Sequence, residues 1–103
     1  MKLLVIGGSY FLGRVFVMQA GKEHDVTVVN RGSLSVESLG AKQIKGDRRD
    51  AALWGKICED VDVVVDFCAY EKGDIARVLR NIGGSVKQYI SVRWMYIGGG
   101  WEA

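Results

Sequence analysis

The sequence predicts an α/β fold in which helices cover both faces of a doubly wound parallel sheet. Short apolar runs rich in valine, isoleucine and leucine alternate with helix-length segments along the chain. Such runs are typical of parallel strands that are buried on both faces. Glycine marks the boundaries, because the 103 residues include 14 glycines and no proline. Since strand–helix–strand crossovers are right-handed, we expect about five strands in the order 3-2-1-4-5.

Five segments carry the strand pattern. They are residues 2–7 (KLLVIG), 26–30 (VTVVN), 42–45 (KQIK), 61–67 (VDVVVDF) and 87–92 (KQYISV). The first is almost entirely apolar, and valine dominates the second and the fourth, which favours buried strands.

The first helix is predicted over residues 11–20. A broad apolar face is expected, because several residues fall on one side at helical spacing. These residues are Leu12, Val15, Phe16 and Gln19, with Phe11 and Met18 nearby.

Two further helices are expected in the second half of the chain. Asp50 is placed to cap a short helix that extends to about Ile57. Residues 71–83 predict a longer helix that ends at Gly83 and Gly84. Its shared apolar face comprises Ile75, Val78, Leu79 and Ile82.

Composition predicts one ordinary soluble domain over residues 1–103, in which residues 92–103 form an irregular tail. The chain is 49% hydrophobic and 25% charged, which is typical of globular proteins. Its net charge of only +2 argues against a nucleic acid partner. The absence of a membrane-length apolar run or a signal-peptide pattern, with Cys58 and Cys68 interpreted as reduced thiols, predicts a cytoplasmic location.

The segment VIGGSYFLGR (5–14) predicts an anion site. A strand that leads through a glycine turn into a helix directs backbone N–H groups and the positive end of the helix dipole outward, which suits a pyrophosphate. Gly7 permits the turn, and Gly13 lets the helix pack closely on the sheet. Tyr10 replaces the middle glycine of the usual spacing, and its side chain either folds across the ligand or packs on a neighbouring loop. The alternative is a glycine-rich turn that holds no ligand.

These residues carry a resemblance to a known family. IGGSYFLG (6–13) resembles the opening of the extended and atypical short-chain dehydrogenases/reductases, the NAD(P)-dependent epimerase/dehydratase group. GDRRD (46–50) resembles the G-D-x-x-D motif of that group, and VVVDFCAY (63–70) resembles its fourth-strand segment. The resemblance extends from about residue 2 to residue 92. It implies a Rossmann-like fold that is truncated to the cofactor-binding half.

The resemblance also implies the residues that bind the dinucleotide. They are Gly7, Gly8, Ser9, Tyr10, Phe11, Leu12, Gly13, Asn30, Arg31, Asp47, Arg48, Phe67, Cys68 and Ala69. Asp47 would contact the adenine, and Arg48 would line it. The second strand ends in Asn30 and Arg31, where NAD-binding proteins carry an acid, so NADP is favoured over NAD. The alternative is a solvated Arg31.

No catalytic residue is expected in this chain. The family uses a Tyr-x-x-x-Lys pair, assisted by a serine or threonine after the fifth strand, and no such pair occurs in the 103 residues. YISVR (89–93) has the spacing with arginine but lies in a predicted strand. Ser91 lies within the same strand, so it does not occupy the place of the family's serines.

The remaining polar residues do not predict a metal site. Asp62, Asp66, Glu71 and Asp74 are interpreted as partners of helix dipoles or as solvated carboxylates. His24 is the only histidine and falls in a turn.

The predicted function is therefore NAD(P) binding by a truncated cofactor-binding half, without turnover by this chain alone. Whether the chain has any enzymatic activity is left open. The alternatives are a non-enzymatic module that senses nucleotides or binds a partner or RNA, and a fragment with no role. The fifth strand would present an open edge, which favours a homodimer through that edge and the tail. Folding of the tail back over the gap is the alternative.

Overall fold

Five parallel strands form one sheet in this computed structural model, which describes residues 1–7, 11–32, 35–54, 57, 61–68, 73–82 and 86–92. The strands are β1 (Lys2–Ile6), β2 (Asp25–Asn30), β3 (Lys42–Lys45), β4 (Val63–Asp66) and β5 (Gln88–Ser91). Their order across the sheet is β3-β2-β1-β4-β5. The predicted fold class and strand order are confirmed.

The connections between the strands contain the helices. They are α1 (Phe11–Ala20), a 3₁₀ turn (Glu37–Leu39), α2 (Ala51–Trp54) and α3 (Asp74–Ile82). The carboxylate of Asp50 accepts a hydrogen bond from the Ala52 backbone N–H at 3.0 Å, so the predicted cap of α2 is confirmed. The helix ends at Trp54, however, instead of extending to about Ile57. No helix in the described segments is long and apolar enough to cross a membrane.

The core lies on both faces of the sheet. Successive residues of a strand point to opposite faces, so Leu4 and Ile6 belong to one hydrophobic cluster while Leu3 and Val5 belong to the other. α2 and α3 cover the first face, and α1 covers the second. The arrangement leaves the carboxyl ends of the strands along one edge of the sheet.

The predicted apolar face of α1 is wrong except for Phe16, which packs against the core. Leu12 and Val15 are 49% and 51% exposed, whereas Val17 is fully buried. Gly13 is also buried. The helix therefore contacts the sheet through Gly13 and Val17, which lie one turn apart on a different side from the predicted one. Because apolar residues occur around most of this helix, its sequence period does not determine which side packs.

Several predictions fall outside the described residues. They concern Gly8, Ser9, Tyr10, Cys58, Ala69, Glu71, Gly83, Gly84 and the tail from residue 93 onwards. The cytoplasmic location and the extent of the domain also stay predictions.

Candidate functional site

The candidate site lies where the chain leaves β1. Strand β1 pairs with β2 on one side and with β4 on the other, so successive crossovers run in opposite directions from it. Ligand sites in parallel sheets form outside the carboxyl ends of the strands at such a switch point. Ile6, the last residue of β1, is aligned with Val29 in β2 and with Asp66 in β4. The residues that follow these three positions therefore meet at one edge.

Gly7 makes the sharp exit from β1. Its φ is +78°, which L side chains rarely adopt, and a Cβ there would stand 1.9 Å from Sγ of Cys68. The Gly7 N–H donates to the carbonyl of Val29 at 2.8 Å. A side chain at this position would therefore have to displace Cys68 as well as strain the backbone.

Helix α1 begins at Phe11, shortly after this turn. Its first-turn N–H groups have no partners within the helix, and they carry the positive end of the helix dipole. The first turn of α1 contains no acidic residue that would neutralise that end. These features favour an anion at the start of α1, and the pyrophosphate site of this segment stays a prediction.

The turn after β2 is built around Asn30. The side-chain oxygen of Asn30 accepts hydrogen bonds from the Gly32 N–H at 2.9 Å and from the amide of Gln43 at 2.7 Å. Gly32 has a φ of +86°, and a Cβ there would stand 2.9 Å from Cδ of Lys45. The Lys45 side chain thus lies directly over this turn.

Arg31 and Asp47 meet across the ends of β2 and β3. Nη2 of Arg31 lies 3.4 Å from Oδ2 of Asp47, and the two side chains are 70% and 45% exposed. The other oxygen of Asp47 accepts the Arg49 backbone N–H at 2.9 Å. This backbone hydrogen bond, followed by the positive charges of Arg31 and Arg49, lowers the pKa of Asp47. Arg31 is largely exposed and also paired with Asp47, so two residues that the resemblance implicated are in contact.

Arg48 points into the protein. It is 7% exposed, and its guanidinium donates to Oδ1 of Asp66 at 2.6 Å and to the carbonyl of Asp74 at 3.1 Å. Burial alone would lower the pKa of Arg48, but the hydrogen bond and charge of Asp66 raise it overall. The interpretation that Arg48 lines the adenine stays a prediction, and these contacts give the residue an internal role that joins β3, β4 and α3.

Asp66 is the centre of a buried polar cluster, so its interpretation as a dipole partner or a solvated carboxylate is wrong. It is fully buried and accepts hydrogen bonds from Arg48, from the Cys68 backbone N–H and from the Tyr89 hydroxyl. Burial and this bond to Asp66 raise the pKa of Tyr89. Asp74 lies in the first turn of α3, as predicted, but it is also buried rather than solvated.

Sequence reasoning missed this cluster, although a signal was present. An apolar strand that ends in aspartate, combined with adjacent arginines after the preceding strand, indicates a charge pair at the carboxyl edge. Asp74 adds to it, because Arg49 and Arg77 lie 3.2 Å and 3.7 Å from its carboxylate oxygens. The cluster fixes the segment in which Cys68 packs against Gly7.

Phe67 contributes to the core next to the site. It is 8% exposed, and its ring lies 6.0 Å from the ring of Phe16, between centroids. Its N–H donates to the carbonyl of Ile6 at 3.0 Å. Phe67 therefore connects the end of β4 to α1 and to the end of β1.

A curated relative covers most of this chain. The dTDP-glucose 4,6-dehydratase of Mycobacterium tuberculosis (strain H37Rv) is 36% identical over 86 residues, which cover 74% of this chain and 26% of the dehydratase. The chain is related to the extended short-chain dehydrogenases/reductases. It spans about a quarter of the length of the relative that it matches. No protein-family model matches the sequence.

Solved structures confirm the Rossmann-like α/β fold. AtPrR2 in its apo form has a TM-score of 0.69 at 24% identity, over 93% of this chain and 39% of that protein. WbmG of Bordetella bronchiseptica, solved in complex with NAD, has a TM-score of 0.67 at 19% identity, over 88% of this chain and 36% of that enzyme. AtPrR2 has also been solved with NADP⁺ and (+)pinoresinol, with a TM-score of 0.63 at 25% identity, over 85% of this chain and 35% of that protein.

The tyrosine and the serine that follow β4 in the described residues both lie in β5. Tyr89 lies in β5 and is engaged by Asp66, and Ser91 ends the same strand. Within the described part of the chain, no group of three or more histidine, cysteine or acidic side chains is arranged to hold a metal ion. What the geometry offers is a binding surface at the carboxyl ends of β1, β2, β3 and β4.

Proposed function

We propose that this chain binds a nicotinamide dinucleotide at the carboxyl edge of its sheet, as the cofactor-binding half of an epimerase/dehydratase/reductase-like protein. The observation that carries the proposal is Gly7. Its positive φ and its contact with Cys68 leave no room for a side chain at the exit from β1. That exit lies at the switch point of the sheet, beside the start of α1, where a pyrophosphate is stabilised in such folds.

Each part of the dinucleotide has a proposed set of residues. The segment from Gly7 to Gly13 would hold the pyrophosphate, and the segment from Phe67 to Ala69 would form the wall on the β4 side. Asn30 and Arg31 lie at the end of β2, where the ribose of the adenosine would bind. Asp47 and Arg48 follow β3 on the adenine side. Asp47 would contact the adenine through its exposed carboxylate, and Arg48 would support the turn after β3 from beneath.

We propose that NADP is preferred over NAD. The end of β2 carries an amide and a guanidinium instead of the carboxylate that bonds the ribose hydroxyls of NAD. Arg31 is 70% exposed, so its planar group is available to a phosphate from solvent. Because the solved relatives include one bound to NAD and one bound to NADP⁺, the preference has to be measured on this chain.

Titration calorimetry with the purified chain tests this function. We expect NADP to bind more tightly than NAD, and Arg31→Met to weaken NADP binding about tenfold while NAD binding changes little. Arg80→Met is the matched control, since Arg80 is an exposed arginine in the last turn of α3, away from the edge. Absence of binding by both dinucleotides would overturn the function, and equal or tighter binding of NAD would overturn the preference.

We propose that this chain performs no dehydrogenase, epimerase or dehydratase turnover by itself. Its 103 residues contain no Tyr-x-x-x-Lys pair. General acid–base groups typically accelerate a reaction about 10²- to 10⁴-fold. The RNA-binding alternative is not favoured, because the net charge is only +2 and two structurally similar proteins were solved with NAD or NADP⁺.

We also propose that the chain forms a homodimer through β5. That strand is at the end of the sheet order, and Ile90 within it is 39% exposed. An open strand edge is a template for pairing with a second chain. In analytical ultracentrifugation, Ile90→Lys is expected to shift the protein from dimer to monomer, whereas Leu79→Lys, at a 41% exposed position on α3, is not. A monomeric wild-type chain would contradict the dimer.

A further inference from the structure

The ion pair between Arg31 and Asp47 occupies the place where a 2′-phosphate would be recognised. Nη2 of Arg31 lies 3.4 Å from Oδ2 of Asp47, and the two residues come from the ends of neighbouring strands. Under the proposed function, the same guanidinium is the group that distinguishes NADP from NAD. The free protein therefore already supplies this cation with an anionic partner.

A phosphate can replace Asp47 as the partner of Arg31. Both side chains are largely exposed, and exposed ion pairs are weak because water and salt screen them. A phosphate carries more charge than a carboxylate and accepts two parallel hydrogen bonds from a guanidinium. Arg31 can therefore leave Asp47 for a phosphate at modest cost.

Asp47, in contrast, is held in place. Its Oδ1 accepts the N–H of Arg49 at 2.9 Å, and its carbonyl accepts the N–H of Asp50 at 2.9 Å. Together these bonds fix the residue in the turn after β3, and the bond from the Arg49 N–H lowers the pKa of the Asp47 carboxyl group. When Arg31 turns to a phosphate, a fixed negative charge remains beside the new anion.

We propose that Asp47 determines cofactor specificity by competing for Arg31, and so restrains the preference of the site for NADP over NAD. The inference rests on the proposed function. Competition for Arg31 changes the affinity for NADP, because NAD carries a hydroxyl in place of the 2′-phosphate. An adenine contact by Asp47, which the family resemblance implies, would affect both cofactors equally. A bond from the ribose hydroxyl of NAD to Asp47 would change the ratio of the two dissociation constants whether or not Arg31 is present, so the ratio is measured with and without Arg31.

Asp47→Asn tests the competition, because the amide keeps the oxygen that accepts the Arg49 N–H and loses the charge. We expect the NADP-to-NAD affinity ratio to rise about fivefold in calorimetry, the scale of a released surface ion pair together with reduced repulsion. Asp25→Asn is the matched control. Asp25 is also 45% exposed and lies 3.8 Å from Lys42, but at the opposite ends of the strands. We expect no change in the ratio for that variant.

A double variant shows whether Arg31 mediates the effect. In the background of Arg31→Met, Asp47→Asn should leave the affinity ratio within about twofold, because no cation remains to compete for. A wild-type chain that binds NADP, with a ratio that Asp47→Asn alters no more than Asp25→Asn does, overturns this inference alone. A ratio that rises equally with and without Arg31 also overturns it. Failure of the wild type to bind either dinucleotide overturns the proposed function, and the inference with it.

Discussion

At the scale of single residues, the pairing of Asp66 with Arg48 has the largest consequence. Both side chains are almost completely buried, and the carboxylate accepts three hydrogen bonds. A buried pair is not a large net source of stability, but removal of one partner leaves an uncompensated charge in the interior. The cluster therefore constrains which substitutions the carboxyl edge tolerates.

We expect Asp66→Asn to reduce the free energy of unfolding by about 3 kcal/mol, because Arg48 loses the closer of its two buried carboxylate partners and keeps only Asp74, at 4.0 Å. Urea denaturation measures this change. Asp25→Asn, which removes an exposed partner of Lys42, should cost at most about 1 kcal/mol. The double variant Arg48→Met/Asp66→Leu should be more stable than Asp66→Asn alone, since it removes both charges. Equal losses for the buried and the exposed aspartate would contradict the described burial.

Tyr89 makes stability depend on alkaline pH. Its folded-state pKa is raised above the ordinary value of 10.0, by burial first and then by its bond to Asp66. The folded chain thus holds a proton that the unfolded chain releases above about pH 10. The stabilisation that Tyr89 supplies is complete below that pH and is lost progressively above it. Tyr89→Phe should flatten the fall in unfolding free energy above pH 10, as measured by urea denaturation across pH; an unchanged slope would contradict this origin.

At the scale of elements, the contact between the exit of β1 and the end of β4 defines the site. Gly7→Ala is expected to destabilise the fold by about 2 kcal/mol more than Gly73→Ala does, because overpacking adds to backbone strain. Both glycines have a positive φ, of 78° and 94°, but only Gly7 faces Cys68, while the space at Gly73 is open. Thermal or urea unfolding of the two variants makes the comparison. Equal losses would mean that Cys68 does not pack against Gly7.

The sequence predicts elements better than it predicts contacts. The apolar run of β1 and the valines of β2 and β4 identify the strands, and right-handed crossovers then determine their order. The packed side of α1 was not predictable, because the helix carries apolar residues on most of its sides. The pairing of Asp66 with Arg48 was missed for a different reason: Asp66 ends β4 and Arg48 follows β3, and because these strands are not neighbours in the sheet, the sequence signal did not identify the partner.

At the scale of the whole molecule, the fold places chemically different groups along one edge. The exit of β1 has a glycine with no room for a side chain, the ends of β2 and β3 have an exposed ion pair, and the end of β4 has a buried polar cluster that fixes its loop. The topology of a doubly wound sheet is enough to place these features along the same edge. A dinucleotide is therefore expected to bind at this edge and not at the opposite one.

Amide chemical-shift mapping of the ¹⁵N-labelled chain during titration with NADP tests that claim most directly. We expect the signals of residues at the carboxyl ends of the strands to shift together and saturate with one dissociation constant; these residues are Gly7, Arg31, Asp47 and Cys68. The signals of Lys2, Lys42 and Gln88, at the amino ends, should stay in place. Shifts confined to the amino ends of the strands, or no saturable shift at all, would contradict a dinucleotide site at the carboxyl edge.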